Sequence, residues 1–215
     1  KGGIVAYTHV RGGGEKGEEW HLGGFKKTKP NSWKDFISCI EYMHEKGYSS
    51  PSKTAIWGSS AGGILMGRTM TEKPDLIKAV IIAAGTLNTI RMETAPNGPN
   101  NIKEFGTVKN KDEFGYLYEM DSYHHIKKGT KYPATLITGG YNDPRVPIWI
   151  SAKFAAKLMA DNTSKNPVLI KVDFDGGHGI DNTKKKAYED IADIFAFAFW
   201  QLGHPEYQPK ENTKK

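Results

Sequence analysis

The chain has 215 residues, of which 38% are hydrophobic and 25% are charged, and these proportions indicate one folded domain. Its net charge of +6 comes from scattered and C-terminal lysines rather than from a basic stripe interleaved with aromatic residues, so nucleic-acid binding is not favoured. No apolar run approaches the roughly 20 residues that span a bilayer, and no secretory leader is visible. We therefore expect a soluble protein of the cytoplasm or periplasm that has no membrane contact.

Two segments precede the most informative motif of the chain. The apolar run at residues 3–10 predicts a strand covered on both faces, and the glycines at residues 12–14 follow it. No phosphate-binding pattern accompanies these glycines, so we interpret them as a loop at the rim of an active site. A helix is predicted from Ser32, whose side chain can cap it, to Gly47. Cys39 lies within that helix, where the apolar pattern predicts a buried thiol and, with no second cysteine, no disulfide.

The motif itself is the G-x-S-x-G pattern at residues 58–62. A buried strand is predicted before it, at residues 54–57, and a helix after it, at residues 64–70. This context is typical of a nucleophile elbow, a sharp turn that lifts a serine hydroxyl into the open. Ser60 is therefore the candidate nucleophile, and the backbone N–H of Ala61 is the candidate oxyanion donor.

A sharp turn of this kind requires small residues where the chain packs against itself. Gly58 and Gly62 are predicted to meet that requirement.

Strands and helices alternate through the rest of the chain. Residues 85–111, rich in Asn, Gly and Pro, predict a long loop, of a length that is usually functional or mobile. This alternation predicts an α/β fold with a mainly parallel sheet and helices on both faces. The remaining strands are predicted at residues 79–84, 133–140 and 167–174, and the last helix at about 186–202.

Ligands of a parallel sheet bind outside the carboxyl ends of its strands. Ser60, Asp143 and His178 each follow the end of a predicted strand, in the order Ser, Asp, His that α/β-hydrolases use. His178 is the candidate base for the serine proton, and Asp143 is the candidate carboxylate that orients the ring. Asp173 and Asp175 are less favoured as the acid, because they lie on the same strand and turn as the histidine.

The other histidines are predicted to have no catalytic role. His124 and His125 lie in a polar segment and fit a surface position, whereas His9 and His21 flank the glycine loop and fit a packing role. The sequence contains no H-E-x-x-H or comparable ligand spacing. We therefore expect no catalytic metal and no cofactor.

These motifs together resemble the catalytic domain of the prolyl oligopeptidase family of serine peptidases, over residues 2–203. The resemblance implies an α/β-hydrolase fold that lacks its first strands, a peptidase domain at residues 1–203 and a polar tail at residues 204–215. It implies the same three catalytic residues, and it assigns Arg145 to a substrate backbone carbonyl, which its fork of donors suits. The segments that carry the resemblance are Arg11–Glu15, Trp20-His21, Lys34–Phe36, Gly47–Pro51, Gly58–Gly63, Pro74–Leu76, Tyr132-Pro133, Asp143–Pro147 and Gly177–Gly179.

Two features depart from the pattern of that family. Its proline-specific members place a Trp shortly before a Tyr/Phe-Gly pair, where it stacks on the substrate proline. Here the pair is Phe105-Gly106, and residues 100–104 contain no Trp, so strict proline specificity is not expected. Family members also carry, ahead of the region that matches this chain, further sheet strands, a Tyr that supplies the second oxyanion donor, and a β-propeller. One of those strands would lie between residues 3–10 and the nucleophile strand.

Three functions therefore remain open. The first is a serine peptidase acting on oligopeptides through an acyl-enzyme, with cleavage after proline as one option. The second is an esterase that uses the same three residues. The third is a catalytically incomplete fragment that acts as an interaction or oligomerising module through exposed strand edges. The expected partners are a peptide substrate and either a complementing N-terminal segment with a β-propeller or further copies of the chain.

Overall fold

The structure, a computed structural model, describes residues 2–179 and 183–210. One parallel sheet has its strands in chain order: β1 (Ala55–Ser59), β2 (Ala79–Ala83), β3 (Ala134–Gly140) and β4 (Val168–Asp173). The helices of the described residues are α1 (Glu18–Leu22), α2 (Pro30–Glu45), α3 (Gly62–Glu72), α4 (Thr89–Met92), α5 (Gly98–Phe105), α6 (Lys111–Met120), α7 (Ile148–Asp161) and α8 (Lys184–Gln201).

Both faces of the sheet are covered by helices. Successive side chains of each strand point to opposite faces, so each strand contributes to both packing layers. On β2, Val80 and Ile82 pack with α3 and α7, whereas Ala79 and Ile81 pack with Ile194 of α8 and its neighbours. The predicted α/β architecture, a parallel sheet between two layers of helices, is thereby confirmed.

The register of the sheet brings the carboxyl ends of the strands to one edge. Ser59 lies opposite Ala83, Ala83 lies opposite Thr138, and Gly140 lies opposite Asp173. The loops that follow β1, β3 and β4 therefore emerge side by side. These loops carry the candidate site.

The strand predicted at residues 3–10 is not formed. Ile4, Val5 and Tyr7 have exposed fractions of 63%, 66% and 87%. The physical reason is the position of β1, which is an edge strand of the sheet that the described residues form. A strand needs a neighbour for its backbone hydrogen bonds, and no described strand lies beyond β1.

The edge position also explains why β1 is only partly buried. Trp57 is 48% exposed and packs edge-to-face on Phe195 of α8, with the ring centroids 6.4 Å apart. The strand predicted at residues 54–57 is formed, but the prediction that it is buried was wrong for Trp57.

Two local predictions in the first half of the chain need correction, and a third is confirmed. Helix α2 begins at Pro30, whose fixed φ suits a first helical turn, so Ser32 lies inside the helix and donates its hydroxyl to Arg11 O at 2.6 Å instead of capping. Cys39 is exposed, because Ile37 and Ile40 define the inward face and Cys39 lies on the other side of the helix. The end of α2 was predicted correctly: Gly47 follows it with φ 72°, a conformation that favours glycine.

The segment 85–111 contains two short helices rather than one long loop. Met92 of α4 and Phe105 of α5 are each 6% exposed and pack in a cluster with Trp33 and Ile64. Local polarity hides this pattern, because only scattered apolar residues of the segment reach the core.

The glycine loop is tied to helix α2. The Arg11 guanidinium donates to both carboxylate oxygens of Asp35, and the Arg11 N–H donates to the same carboxylate at 3.0 Å. These hydrogen bonds lower the pKa of Asp35 below its ordinary value.

Among the described residues, no helix is both long and apolar enough to cross a membrane.

Candidate active site

Ser60 lies on the tight turn between β1 and α3. Its φ is +52°, which is unusual for a residue with a side chain and costs about 1–3 kcal/mol. Backbone hydrogen bonds hold the turn on both sides: Ser60 N donates to Ala83 O at 2.9 Å, and Thr86 N donates to Ser60 O at 2.9 Å. The strained conformation is therefore imposed by the neighbouring β2 strand and the loop after it.

Two glycines allow α3 to approach the sheet closely at this turn. A Cβ on Gly58 would lie 2.8 Å from Met66 Cγ, and one on Gly63 would lie 2.5 Å from Gly85 Cα. The prediction for Gly58 is confirmed. The prediction for Gly62 was wrong, since a Cβ there would meet nothing within 4 Å, and Gly63 is the residue that meets the loop after β2.

His178 stands between Ser60 and Asp143. Its Nδ1 lies 2.6 Å from Asp143 Oδ2, and its Nε2 lies 3.0 Å from Ser60 Oγ. Because the carboxylate is an acceptor, this geometry places the ring proton on Nδ1 and leaves Nε2 to accept from the serine hydroxyl. The structure thus brings together the three residues whose proximity was predicted from strand ends.

The Asp143 carboxylate is fixed by the backbone that follows it. Its side chain is 0% exposed, and Oδ1 accepts N–H bonds from Arg145 at 2.8 Å and Val146 at 2.9 Å. Oδ2 is therefore directed at the imidazole, whose side chain is 10% exposed. Such a carboxylate can hold one tautomer of the ring and stabilise an imidazolium.

The loops that carry His178 and Asp143 are joined by backbone contacts. Tyr141 N donates to Asp173 O at 2.7 Å, and Asn142 N donates to Gly176 O at 3.0 Å. The Asn142 side chain also donates to Phe174 O at 3.1 Å. The position of the imidazole therefore depends on how residues 174–177 pack against the end of β3.

Gly140 has no side chain and leaves the space in which the backbone of residues 176 and 177 packs. We expect Gly140→Ala to slow reaction at Ser60 by about 100-fold, because a misplacement of the order of 1 Å is enough for such a loss. The new Cβ would lie 2.2 Å from Gly177 O and 2.3 Å from Gly176 O, so backbone must move. Rates of serine-directed labelling, together with thermal unfolding, measure the effect.

Gly139→Ala is the matched control for that substitution. Its Cβ would meet only the flexible end of Ile148, Cδ1, at 2.8 Å. Equal labelling rates for Gly140→Ala and Gly139→Ala would contradict the close packing of residues 176 and 177 against Gly140.

The two groups predicted to contact substrate remain available. Within residues 2–179 and 183–210, the backbone N–H of Ala61 donates to no acceptor, and the exposed Arg145 guanidinium forms no ion pair. Ala61 immediately precedes α3, and the positive end of a helix dipole favours a negative charge nearby. These groups are suited to an oxyanion and to a carbonyl oxygen.

The competing acidic residues do not contact the imidazole. Asp173 pairs with Lys186, with Nζ 3.2 Å from Oδ2, and Asp175 contributes its backbone N–H to the Asp173 side chain.

Four other histidines have neighbours of their own. His124 lies 2.9 Å from Asp121, His21 lies 3.0 Å from Glu104, and His9 lies 3.4 Å from Glu15. The ring of His125 contacts Asp121 O at 2.8 Å. In the described part of the chain, no group of three or more His, Cys, Asp or Glu side chains is arranged to hold a metal ion.

The parallel sheet, the helices on both faces and the serine turn at the carboxyl end of β1 define an α/β hydrolase. The profile of the prolyl oligopeptidase family matches residues 1–205. The chain therefore belongs to the prolyl oligopeptidase family of serine peptidases.

Individual relatives agree with this assignment. The prolyl endopeptidase of Elizabethkingia miricola is 38% identical over 203 residues, which are 94% of this chain and 29% of that protein. The dipeptidyl aminopeptidase BI of Pseudoxanthomonas mexicana is 32% identical over 94% of this chain and 28% of that protein. The structure of oligopeptidase B from Leishmania major superposes with a TM-score of 0.87 and 29% identity, covering 91% of this chain and 28% of that one. The chain thus spans less than a third of the length of these relatives.

Proposed function

We propose that this chain carries the Ser-His-Asp site of a serine peptidase that hydrolyses oligopeptides through an acyl-enzyme. The observation that supports it is the continuous line of contacts from Ser60 Oγ to His178 Nε2 at 3.0 Å and from His178 Nδ1 to Asp143 Oδ2 at 2.6 Å. A serine hydroxyl is a weak nucleophile until a base takes its proton, and this arrangement supplies the base and its orienting carboxylate.

The reaction would proceed in two steps. Ser60 Oγ attacks the carbonyl carbon of the scissile bond while its proton passes to His178 Nε2, and the Ala61 N–H donates to the oxygen that becomes negative. The imidazolium then gives that proton to the leaving amine, which leaves an ester on Ser60. A water molecule, deprotonated by the same imidazole, hydrolyses the ester and restores the hydroxyl.

Arg145 would bind a backbone carbonyl of the peptide. We expect Arg145→Ala to lower kcat/KM for peptide amides by about 10- to 100-fold, since a hydrogen bond to a charged group contributes about 1.5–3 kcal/mol. Hydrolysis of a small acetyl ester, which has no second carbonyl to bind, should be unchanged. Equal losses on both substrates would instead indicate a general disturbance of the site.

Peptidase and esterase functions are distinguished by the leaving group. The test compares a peptide amide and the ester with the same acyl group, on wild-type chain and on Ser60→Ala. Hydrolysis of both by wild type, and of neither by the variant, supports the peptidase. Hydrolysis of the ester alone supports the esterase. Peptides with Pro or Ala before the scissile bond also test the expected lack of strict proline specificity, since Asn101 and its neighbours in α5 include no Trp.

A second candidate function rests on the outer edge of β1. No described strand pairs with the outer edge of β1. Apolar surface is exposed at Trp57 on this strand and at residues 4–7 of the N-terminal segment. We infer that a complementing N-terminal segment with a β-propeller, or a further copy of the chain, pairs with this edge. Light scattering, alone and after co-expression with such a segment, tests the association. A chain that stays monomeric and does not bind the co-expressed segment would contradict this association.

The catalytic unit proposed here spans residues 1–203, followed by the tail at residues 204–215. The described start of the tail packs on α8, with the Tyr207 ring centroid 4.8 Å from that of Phe199. Residues 211–215 lie outside the described residues.

A further inference from the structure

Two charged residues bracket the segment that carries His178. Asp173 is the last residue of β4, and Lys186 lies in the first turn of α8. Lys186 Nζ lies 3.2 Å from Asp173 Oδ2, and the two side chains are 31% and 25% exposed. This ion pair therefore connects the chain before the histidine to the chain after it.

The Asp173 carboxylate also shapes the backbone that leads to His178. Its Oδ1 accepts N–H bonds from Asp175 at 3.2 Å and from Gly176 at 3.1 Å. Gly176 O in turn accepts the N–H of Asn142 from the loop that carries the catalytic acid candidate. One carboxylate thus contacts both the helix after the histidine and the turn before it.

Lys186 is held by further charges on α8 and β4. Its Nζ also lies 2.7 Å from Asp190 Oδ1, and Lys171 Nζ lies 2.9 Å from the same oxygen. Lys171 extends the network to Asp193 on the next turn of the helix. An isolated exposed ion pair contributes little, but a network with several fixed members restricts the side chains that form it.

The position of Lys186 in the helix indicates that its charge is stabilised by neighbouring carboxylates rather than by the helix. A cation in the first turn of a helix is disfavoured by the helix dipole, and the first turn of α8 contains no acidic residue. The hydrogen bonds to Asp190 and Asp173 raise the pKa of Lys186, and the hydrogen bond from Lys186 lowers the pKa of Asp173. Both groups are therefore charged throughout the neutral range.

We infer that Asp173 and Lys186 are positioning residues, whose ion pair fixes the His178 segment so that the imidazole stays between Ser60 and Asp143. The inference rests on the proposed function, because it assigns the pair a role in the same site. Neither residue contacts the imidazole itself. Their effect is on the fraction of molecules in which Nε2 is within reach of the serine hydroxyl.

Substitutions can separate the ion pair from the turn. Asp173→Asn keeps an oxygen acceptor for the two N–H groups and removes the charge, and Lys186→Met removes the cation while keeping most of the side-chain length. We expect either variant to slow fluorophosphonate labelling of Ser60 by about 10- to 100-fold, as misplacement of a catalytic group does. The double variant should be no slower than the slower single variant, because both lose the same interaction.

Two matched variants serve as controls. Lys186→Arg retains the charge and should label within about 3-fold of wild type, a modest loss for a repositioned donor. Lys185→Met removes the neighbouring lysine, which is 88% exposed and 3.9 Å from Glu189, and should label as wild type does. Wild-type rates in both Asp173→Asn and Lys186→Met, or equal losses in Lys185→Met, would overturn the inference.

A second measurement is independent of any reaction at Ser60. The proton on His178 Nδ1, shared with Asp143 at 2.6 Å, should give a far-downfield proton NMR signal in wild type and in Lys185→Met. We expect that signal to be broadened or lost in Lys186→Met and Asp173→Asn, with thermal unfolding confirming that these variants are folded. A sharp, unshifted signal in both variants overturns the inference.

The two readouts also separate this inference from the proposed function. A wild-type chain that shows the signal but neither labels nor hydrolyses contradicts the proposed function, and the NMR comparison alone then decides the role of the pair. Absence of the signal in folded wild type contradicts the His178–Asp143 geometry, and it overturns both.

Discussion

Replacing His178 with alanine is expected to reduce hydrolysis of a peptide amide by on the order of 10⁶-fold in kcat, with KM little changed. In the structure the imidazole is the one described group that contacts both Ser60 Oγ and Asp143. Without it, no described side chain is placed to take the serine proton. Steady-state kinetics and single-turnover acylation measure the loss.

His9, for which a packing role was predicted, lies on the surface instead and provides the control for that variant. The side chain of His9 is 61% exposed and faces Glu15, so His9→Ala should retain wild-type kinetics. A His178→Ala enzyme within 10-fold of wild type would remove His178 from the mechanism, whatever its distance from Ser60.

Asp143→Asn should lower kcat by about 10⁴-fold while leaving the fold nearly as stable as wild type. The amide oxygen can still accept the N–H groups of Arg145 and Val146, so their hydrogen bonds survive. The amide nitrogen would then face His178 Nδ1 and donate to it, which moves the ring proton to Nε2. With its proton there, the imidazole cannot accept from Ser60.

Asp143→Ala distinguishes the two roles of this carboxylate. It leaves the buried N–H of Val146 and the partly buried N–H of Arg145 without this acceptor. An unsatisfied buried N–H costs about 1–3 kcal/mol, so this variant should lose stability as well as activity. Thermal unfolding and kcat of the two variants give the comparison. Equal stability of Asn and Ala variants would show that the N–H contacts contribute little.

Much of the sheet could be predicted from sequence, because strands covered on both faces have continuous apolar runs. Residues 79–84 and 133–140 are such runs, and they became β2 and β3. The run at residues 3–10 is also rich in apolar residues and forms no strand. A strand is defined by its neighbour as well as by its own residues, and no described strand pairs there.

Side-chain environments within the helices were harder to predict. Cys39 lies two residues from Ile37 on α2, and a rotation of about 200° separates them, so an apolar pattern that includes both overestimates the buried face. Ser32 is a good capping residue by type, but Pro30 begins the helix earlier and leaves Ser32 inside it.

The proximity of the three candidate catalytic residues was predictable from topology. The carboxyl ends of parallel strands meet at one edge, so residues just after β1, β3 and β4 must be close, and Ser60, Asp143 and His178 are. The support around them was not predictable, because it depends on tertiary approach. Gly140 could be any strand-end glycine in the sequence, and Lys186 is one of several lysines near residue 185.

Covalent labelling of Ser60 tests the central claim most directly. The chain is incubated with a fluorophosphonate, which phosphonylates an activated serine, and the adduct is located by intact mass and peptide mapping. The claim predicts one adduct per chain, on Ser60, and none on the folded Ser60→Ala variant. Folded wild-type chain that remains unlabelled at Ser60 on prolonged incubation, or that is labelled elsewhere instead, would contradict the claim.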